Sequence, residues 1–199
     1  MPSEFISIYL KFFFLLTPFF VLSAFLILTD GKSDGERKRL SLKVTFAALI
    51  ACVVLLFLGE QVFNLFNITL NSFRIGTGVL LMLSAVNLVQ GSWGMGTDLK
   101  DQDISVVPLA IPITVGPATT GAILVMGSEM HAPQQMIIGF AALASAILSV
   151  GFLLFISGTI EKILKRRGLA ILSKVTGLVL SALSAEMIMT GIKDYIARL

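Results

Sequence analysis

Apolar residues fall in six long runs separated by short polar stretches, at about 5–28, 44–58, 75–89, 104–127, 136–160 and 170–192. About 20 apolar residues suffice for a helix to cross a bilayer, so the pattern predicts six transmembrane helices. The separating stretches carry turn and interface chemistry. Thr29-Asp30-Gly31 closes the first run, and Asn64, Asn67 and Asn71 mark a polar turn before the third. Lys32, Arg37, Lys38, Arg39 and Lys43 are expected in the loop after the first run, and 161–168 is expected as a second basic loop. The most polar stretch is GSWGMGTDLKDQD, whose Trp93 suits the interfacial aromatic belt. Lys11 is expected to reach outward from the start of the first span.

Two of the runs are interrupted. The stretch 104–127 has no charge but carries Pro108, Pro112 and Pro117, with Gly116 directly before the third. The first run carries Thr17-Pro18 near its middle, followed by Ser23 and Ala24. Proline removes a backbone donor and clashes with the carbonyl four residues back. In lipid the freed groups cannot turn to water, so broken helices persist only where protein buries them or where they line a wet cavity. Transporters bind solutes at such midspan breaks. The expected substrate-binding set is therefore Thr17, Pro18, Thr114, Gly116, Pro117, Ala118, Thr119 and Thr120. The threonine hydroxyls have two readings, as solute ligands or as partners for freed carbonyls. The N–H groups of Ala118 and Thr119 would open a new half-helix, whose partial positive charge suits a carboxylate. The plainer alternative is a simple proline kink.

Composition agrees with a membrane chain. Of 199 residues 56% are hydrophobic and 14% charged, where a soluble domain carries about 25% charged residues; mean hydropathy is +0.93. The single cysteine, Cys52, excludes an internal disulfide framework and reads as packing. The first run is long, lacks a small-residue cleavage site and follows Glu4, so it is not expected to be a cleaved signal. Orientation follows from lysine and arginine placement. Eleven of the 15 fall beside the loops after runs one, three and five, and only Lys11, Arg74, Lys193 and Arg198 lie on the other side. Those three loops are thus expected in the cytoplasm, with both termini outside.

The two halves look alike. At an offset of 100 residues, Leu83-Ser84-Ala85 falls on Leu183-Ser184-Ala185, and at 99 Pro18 falls on Pro117. Three runs per half is an odd number, so the second half must enter from the opposite face. The expected architecture is all-α: one membrane domain over 1–199, made of two inverted three-helix repeats, 1–91 and 104–199, with discontinuous helices one and four.

These residues resemble the MarC family of six-span membrane proteins, which includes SnatA-like transporters of small neutral amino acids. The resemblance covers nearly the whole chain. It rests on Phe73-Arg74-Ile75-Gly76-x-Gly78, on Val106-Val107-Pro108-Leu109-Ala110-Ile111-Pro112 with Gly116-Pro117, and on Glu186 followed by 187–193. It implies secondary transport of solutes such as glycine or alanine across the plasma membrane. The first span departs from the family pattern, with Thr17-Pro18, Phe20 and Ser23 where Asn-Pro, Gly and a second Pro are usual.

Glu186 is the one carboxylate well inside a run. Such a residue costs about 2.5–3.5 kcal/mol on insertion scales and usually serves an ion path. It is the expected ion-coupling residue, for H+ or Na+; the bland reading is a protonated side chain bonded to neighbouring hydroxyls, or an interfacial one. Small residues recur every four positions at Gly177, Ser181 and Ala185, and at Ala141, Ser145 and Ser149, a spacing that favours close helix packing. His131 is the only histidine, so no histidine-based metal site is expected. No nucleotide-binding loop or serine–histidine pairing is visible, so neither enzyme activity nor a bound cofactor is expected. The expected partners are the lipid bilayer and a small polar solute, without nucleic acid; the oligomeric state stays open. The competing class is a membrane assembly factor, and a third is an exporter of another small solute.

Overall fold

The computed structural model describes residues 2–91, 115–130 and 132–197. Seven helices and no strand occur among them: α1 Pro2–Leu15, α2 Pro18–Leu28, α3 Asp34–Phe66, α4 Leu70–Gln90, α5 Pro117–Ser128, α6 Pro133–Phe155 and α7 Ser157–Ile196. Five helical stretches among the described residues are long and apolar enough to cross a membrane, with the α1–α2 stretch counted as one. The run 104–127 is described only from residue 115. Pro108, Pro112 and Thr114 therefore lie outside the described residues.

The first run is broken where Thr17-Pro18 predicts. α1 ends at Leu15, Thr17 takes the left-handed conformation at φ 47 and ψ 57, and Pro18 opens α2. Left-handed backbone is costly for a threonine, so the break is a defined structure and not a gentle kink. Proline tolerates the first helical position because the N–H it lacks would have no intrahelical partner there. The same logic starts α5, where Gly116 is the extended N-cap and Pro117 follows.

Two expected loops are helical. The basic stretch after the first run belongs to α3, which starts at Asp34 on a capping box between Ser33 and Glu36. The stretch 161–168 lies inside α7, with Gly168 in mid-helix. Hydropathy marks where a helix leaves hydrocarbon, not where it ends. Lysine and arginine are good helix formers, and neither helix contains a proline. At about 1.5 Å per residue a 33-residue helix is far longer than the ~30 Å hydrocarbon core. The polar turn is also shorter than expected: Asn67, at φ 54, ends α3, while Asn64 and Asn71 are helical.

The helices form one bundle. α4 packs along α7; α3 packs on α5 and α6; α1 packs on α6 and α2 on α7; α5 also packs on α4. The core gathers Phe12, Leu16, Phe20 and Phe25 from the first run with Ala118, Ile123, Leu143 and Ile147 from the second half. Leu42, Phe46, Ile50, Val54 and Phe57 are exposed along α3. Such a band would be a liability in water and is what a lipid-facing surface requires. Close α4–α7 packing depends on two glycines. A Cβ on Gly78 would sit 2.6 Å from Ile188 Cγ1 and 3.1 Å from the Ser184 carbonyl oxygen. A Cβ on Gly177 would sit 2.9 Å from both the Ala85 carbonyl oxygen and Val89. The second contact is the first with 99 exchanged between its members: 78 for 177, 184 for 85, 188 for 89.

Candidate solute site at the paired helix breaks

The two breaks meet. Thr119, in the first turn of α5, is buried and donates its hydroxyl to the Leu15 carbonyl oxygen at 3.2 Å. Leu15 is the last residue of α1, so its carbonyl faces a gap in the helix where the next turn's donor would be. Val115 and Ala118 pack in the same core cluster as Leu15, Leu16 and Phe20. At the start of α2 the Val21 N–H reaches the Thr17 carbonyl, and at the start of α5 the Thr120 N–H reaches the Gly116 carbonyl at 2.8 Å. Helix geometry leaves the N–H groups of Phe19, Ala118 and Thr119 without intrahelical partners.

The other expected residues sit around this junction. Thr17 is half-buried and makes no side-chain cap; Pro18 is buried in α2. Gly116 is half-buried and Pro117 exposed. Pro117 and Thr120 face an open depression shared with Ser72, Gly76 and Thr77 of α4.

A second, charged cavity of about 200 Å³ lies on the α1 side of the junction. Leu15 and Ala122 form its inner wall, and Lys11, Arg74, Glu129, Glu186 and Thr190 supply its polar groups. Glu186 lines this cavity and is exposed, an arrangement that suits an ion path and an interfacial carboxylate alike. Lys11 lies one turn before Leu15, lines the same space and is exposed.

Arg74 is not among the expected site residues. It lies in the second turn of α4, with its side chain 7% exposed, and holds two carboxylates. Its Nη1 donates to Asp194 Oδ2 of α7 at 2.8 Å, and its Nη2 donates to Glu129, just beyond α5. Only the guanidinium is buried; Glu129 and Asp194 are 44% and 46% exposed, so solvent screens both pairs, and the cluster links α4, the end of α5 and α7. A different ion pair joins Arg37 of α3 to Glu161 of α7 at 3.0 Å, and Arg37 also donates to the Thr29 carbonyl at the end of α2. No cluster of three or more metal-ligating side chains occurs among the described residues.

A family model described as MarC family integral membrane protein matches residues 2–196. The chain belongs to the MarC family. Its relatives include the UPF0056 membrane protein YhcE of Escherichia coli (strain K12), 29% identical over 94% of this chain and 92% of that one. A UPF0056 membrane protein of Buchnera aphidicola subsp. Schizaphis graminum is 31% identical over 97% and 95%. UPF0056 membrane protein MJ1677 of Methanocaldococcus jannaschii is 28% identical over 95% and 96%. No solved structure matches the chain. This MarC-family chain is an integral, multi-pass membrane protein.

Proposed function

We propose that this protein is a secondary transporter of small neutral amino acids, of the glycine and alanine type, in the plasma membrane. The observation that carries the reading is the docking of the first turn of α5 onto the broken end of α1 through Thr119 and Leu15. Two interrupted helices that meet inside an apolar bundle supply donors and acceptors that continuous helices would consume internally. The charged cavity beside them, about 200 Å³, has room for a solute of few atoms, and the open depression against Pro117 and Thr120 is larger, about 790 Å³. We place coupling to H+ or Na+ at Glu186, the carboxylate that lines this cavity from α7.

The fold reading that goes with this is six spans in two inverted repeats, with both termini outside. Packing supports it. Exchanging the α1–α2 span with α5, α3 with α6 and α4 with α7 leaves the main helix pairs unchanged. The reciprocal Gly78 and Gly177 contacts support the same two-fold relation. The two ion clusters support alternation, since they tie ends that would lie on opposite faces: Arg37 with Glu161, and Arg74 with Glu129 and Asp194.

Purified protein in liposomes loaded with unlabelled glycine should take up labelled glycine and alanine by counterflow. Protein-free liposomes should not, and bulky drugs should not compete. Absence of counterflow for every small zwitterion would remove the transporter reading and leave the assembly factor.

A further inference from the structure

We propose that Arg74 is the carboxylate-recognition group of a zwitterion-binding vestibule, and that the solute's carboxylate takes the place of Glu129 on its guanidinium. The proposal rests on the transporter reading above and assigns a recognition residue outside the helix breaks. The wall of the charged cavity sets the ligand class. Two cationic side chains, Lys11 and Arg74, and two anionic ones, Glu129 and Glu186, line it. A wall of balanced charge repels neither end of a zwitterion, whereas a net anion or cation meets like charge without relief of its own.

Arg74 is the side chain built to take a carboxylate. Its guanidinium offers donors in a planar fork that matches two carboxylate oxygens. The Nη atoms are engaged, but its Nε is buried and has no hydrogen-bond partner. Asn71, one turn earlier on the same buried face of α4, has its Nδ2 in the same condition. A buried unsatisfied group is costly, and both orphans here are donors, so the missing group is an acceptor. Of the two carboxylates on Arg74, Glu129 lines the cavity, while Asp194 is not among its lining residues. Glu129 is therefore the one an arriving solute displaces. Glu186, on the same wall, faces the ammonium end.

Glu129 directly follows α5, the half-helix that carries Pro117, Ala118 and Thr119. Its pair with Arg74 links the far end of that half-helix to α4 and α7.

The test is binding of glycine and of glycinamide, which lacks the carboxylate, measured by calorimetry in detergent. Glu129→Gln keeps the shape and leaves Asp194 on Arg74, so the guanidinium stays paired. It weakens the competing bond, and glycine should bind about fivefold tighter, the equivalent of ~1 kcal/mol. Glycinamide should not gain. Asp194→Asn, which leaves Glu129 in place, should not tighten glycine. Arg74→Lys, a point charge instead of a fork, should weaken glycine at least about tenfold. Equal gains for glycine and glycinamide, or no gain for either, would overturn the role of Arg74 while wild-type glycine binding still upholds the transporter. Wild type that binds no zwitterion would overturn both.

Discussion

Thr119→Val separates the two roles open to the hydroxyl at the junction. The substitution keeps the branched shape and removes one donor. In the structure that donor satisfies Leu15 O, a buried carbonyl at a helix end. Side-chain hydrogen bonds within membrane bundles average about 0.6 kcal/mol and reach about 1.7. Leaving a buried acceptor unmet costs about 1–3 kcal/mol. Thr119 is 7% exposed, and the break deprives Leu15 O of its helical donor, so the upper part of the first range applies. The expected loss is about 1–2 kcal/mol, or ~2–8 °C in unfolding temperature for a chain of this size. Thr119→Ser should restore most of it. The assay is thermal unfolding in detergent, with and without glycine. If the valine variant is as stable as wild type but no longer responds to glycine, the hydroxyl is a solute ligand and the carbonyl-capping argument is wrong.

Glu186→Gln should abolish gradient-driven accumulation in liposomes while counterflow persists, because exchange needs no coupling ion; accumulation at the wild-type level would remove Glu186 from coupling. In a Cys52→Ser background, Ser33→Cys and Lys162→Cys should be shielded from an impermeant thiol reagent in intact cells, while Ala132→Cys is labelled. The opposite pattern would invert the orientation.

The breaks were legible because proline acts locally: Pro18 and Pro117 start helices where their chemistry says they must. Helix ends were not, since hydropathy reports depth and the basic turns of α3 and α7 continue the helix beyond it. The close approach of α4 to α7 at Gly78 and Gly177 was not legible, since a glycine within an apolar run does not say which helix it meets. Glu186 stood out as a carboxylate within a span, and it does line a cavity. Arg74 did not, because its partners lie 55 and 120 residues away in sequence. A charge near a span boundary looks the same whether it faces water or a buried pair.

The central claim is that the paired breaks form the solute site, and Gly116→Ala with Pro117→Ala tests it most directly. Pro117 occupies the first position of α5 and Gly116 its cap. The large penalty of a mid-helix proline does not apply there, so the variant should stay within about 1 kcal/mol of wild type. What it should lose is the defined backbone that presents the Ala118 and Thr119 N–H groups. The measurement is the shift in unfolding free energy on adding glycine or alanine. Wild type should gain about 2.7 kcal/mol at a hundred times the dissociation constant, and the double variant should lose most of that gain, keeping only what the Arg74 vestibule supplies. A double variant that keeps the full shift would show that the solute binds elsewhere in the bundle.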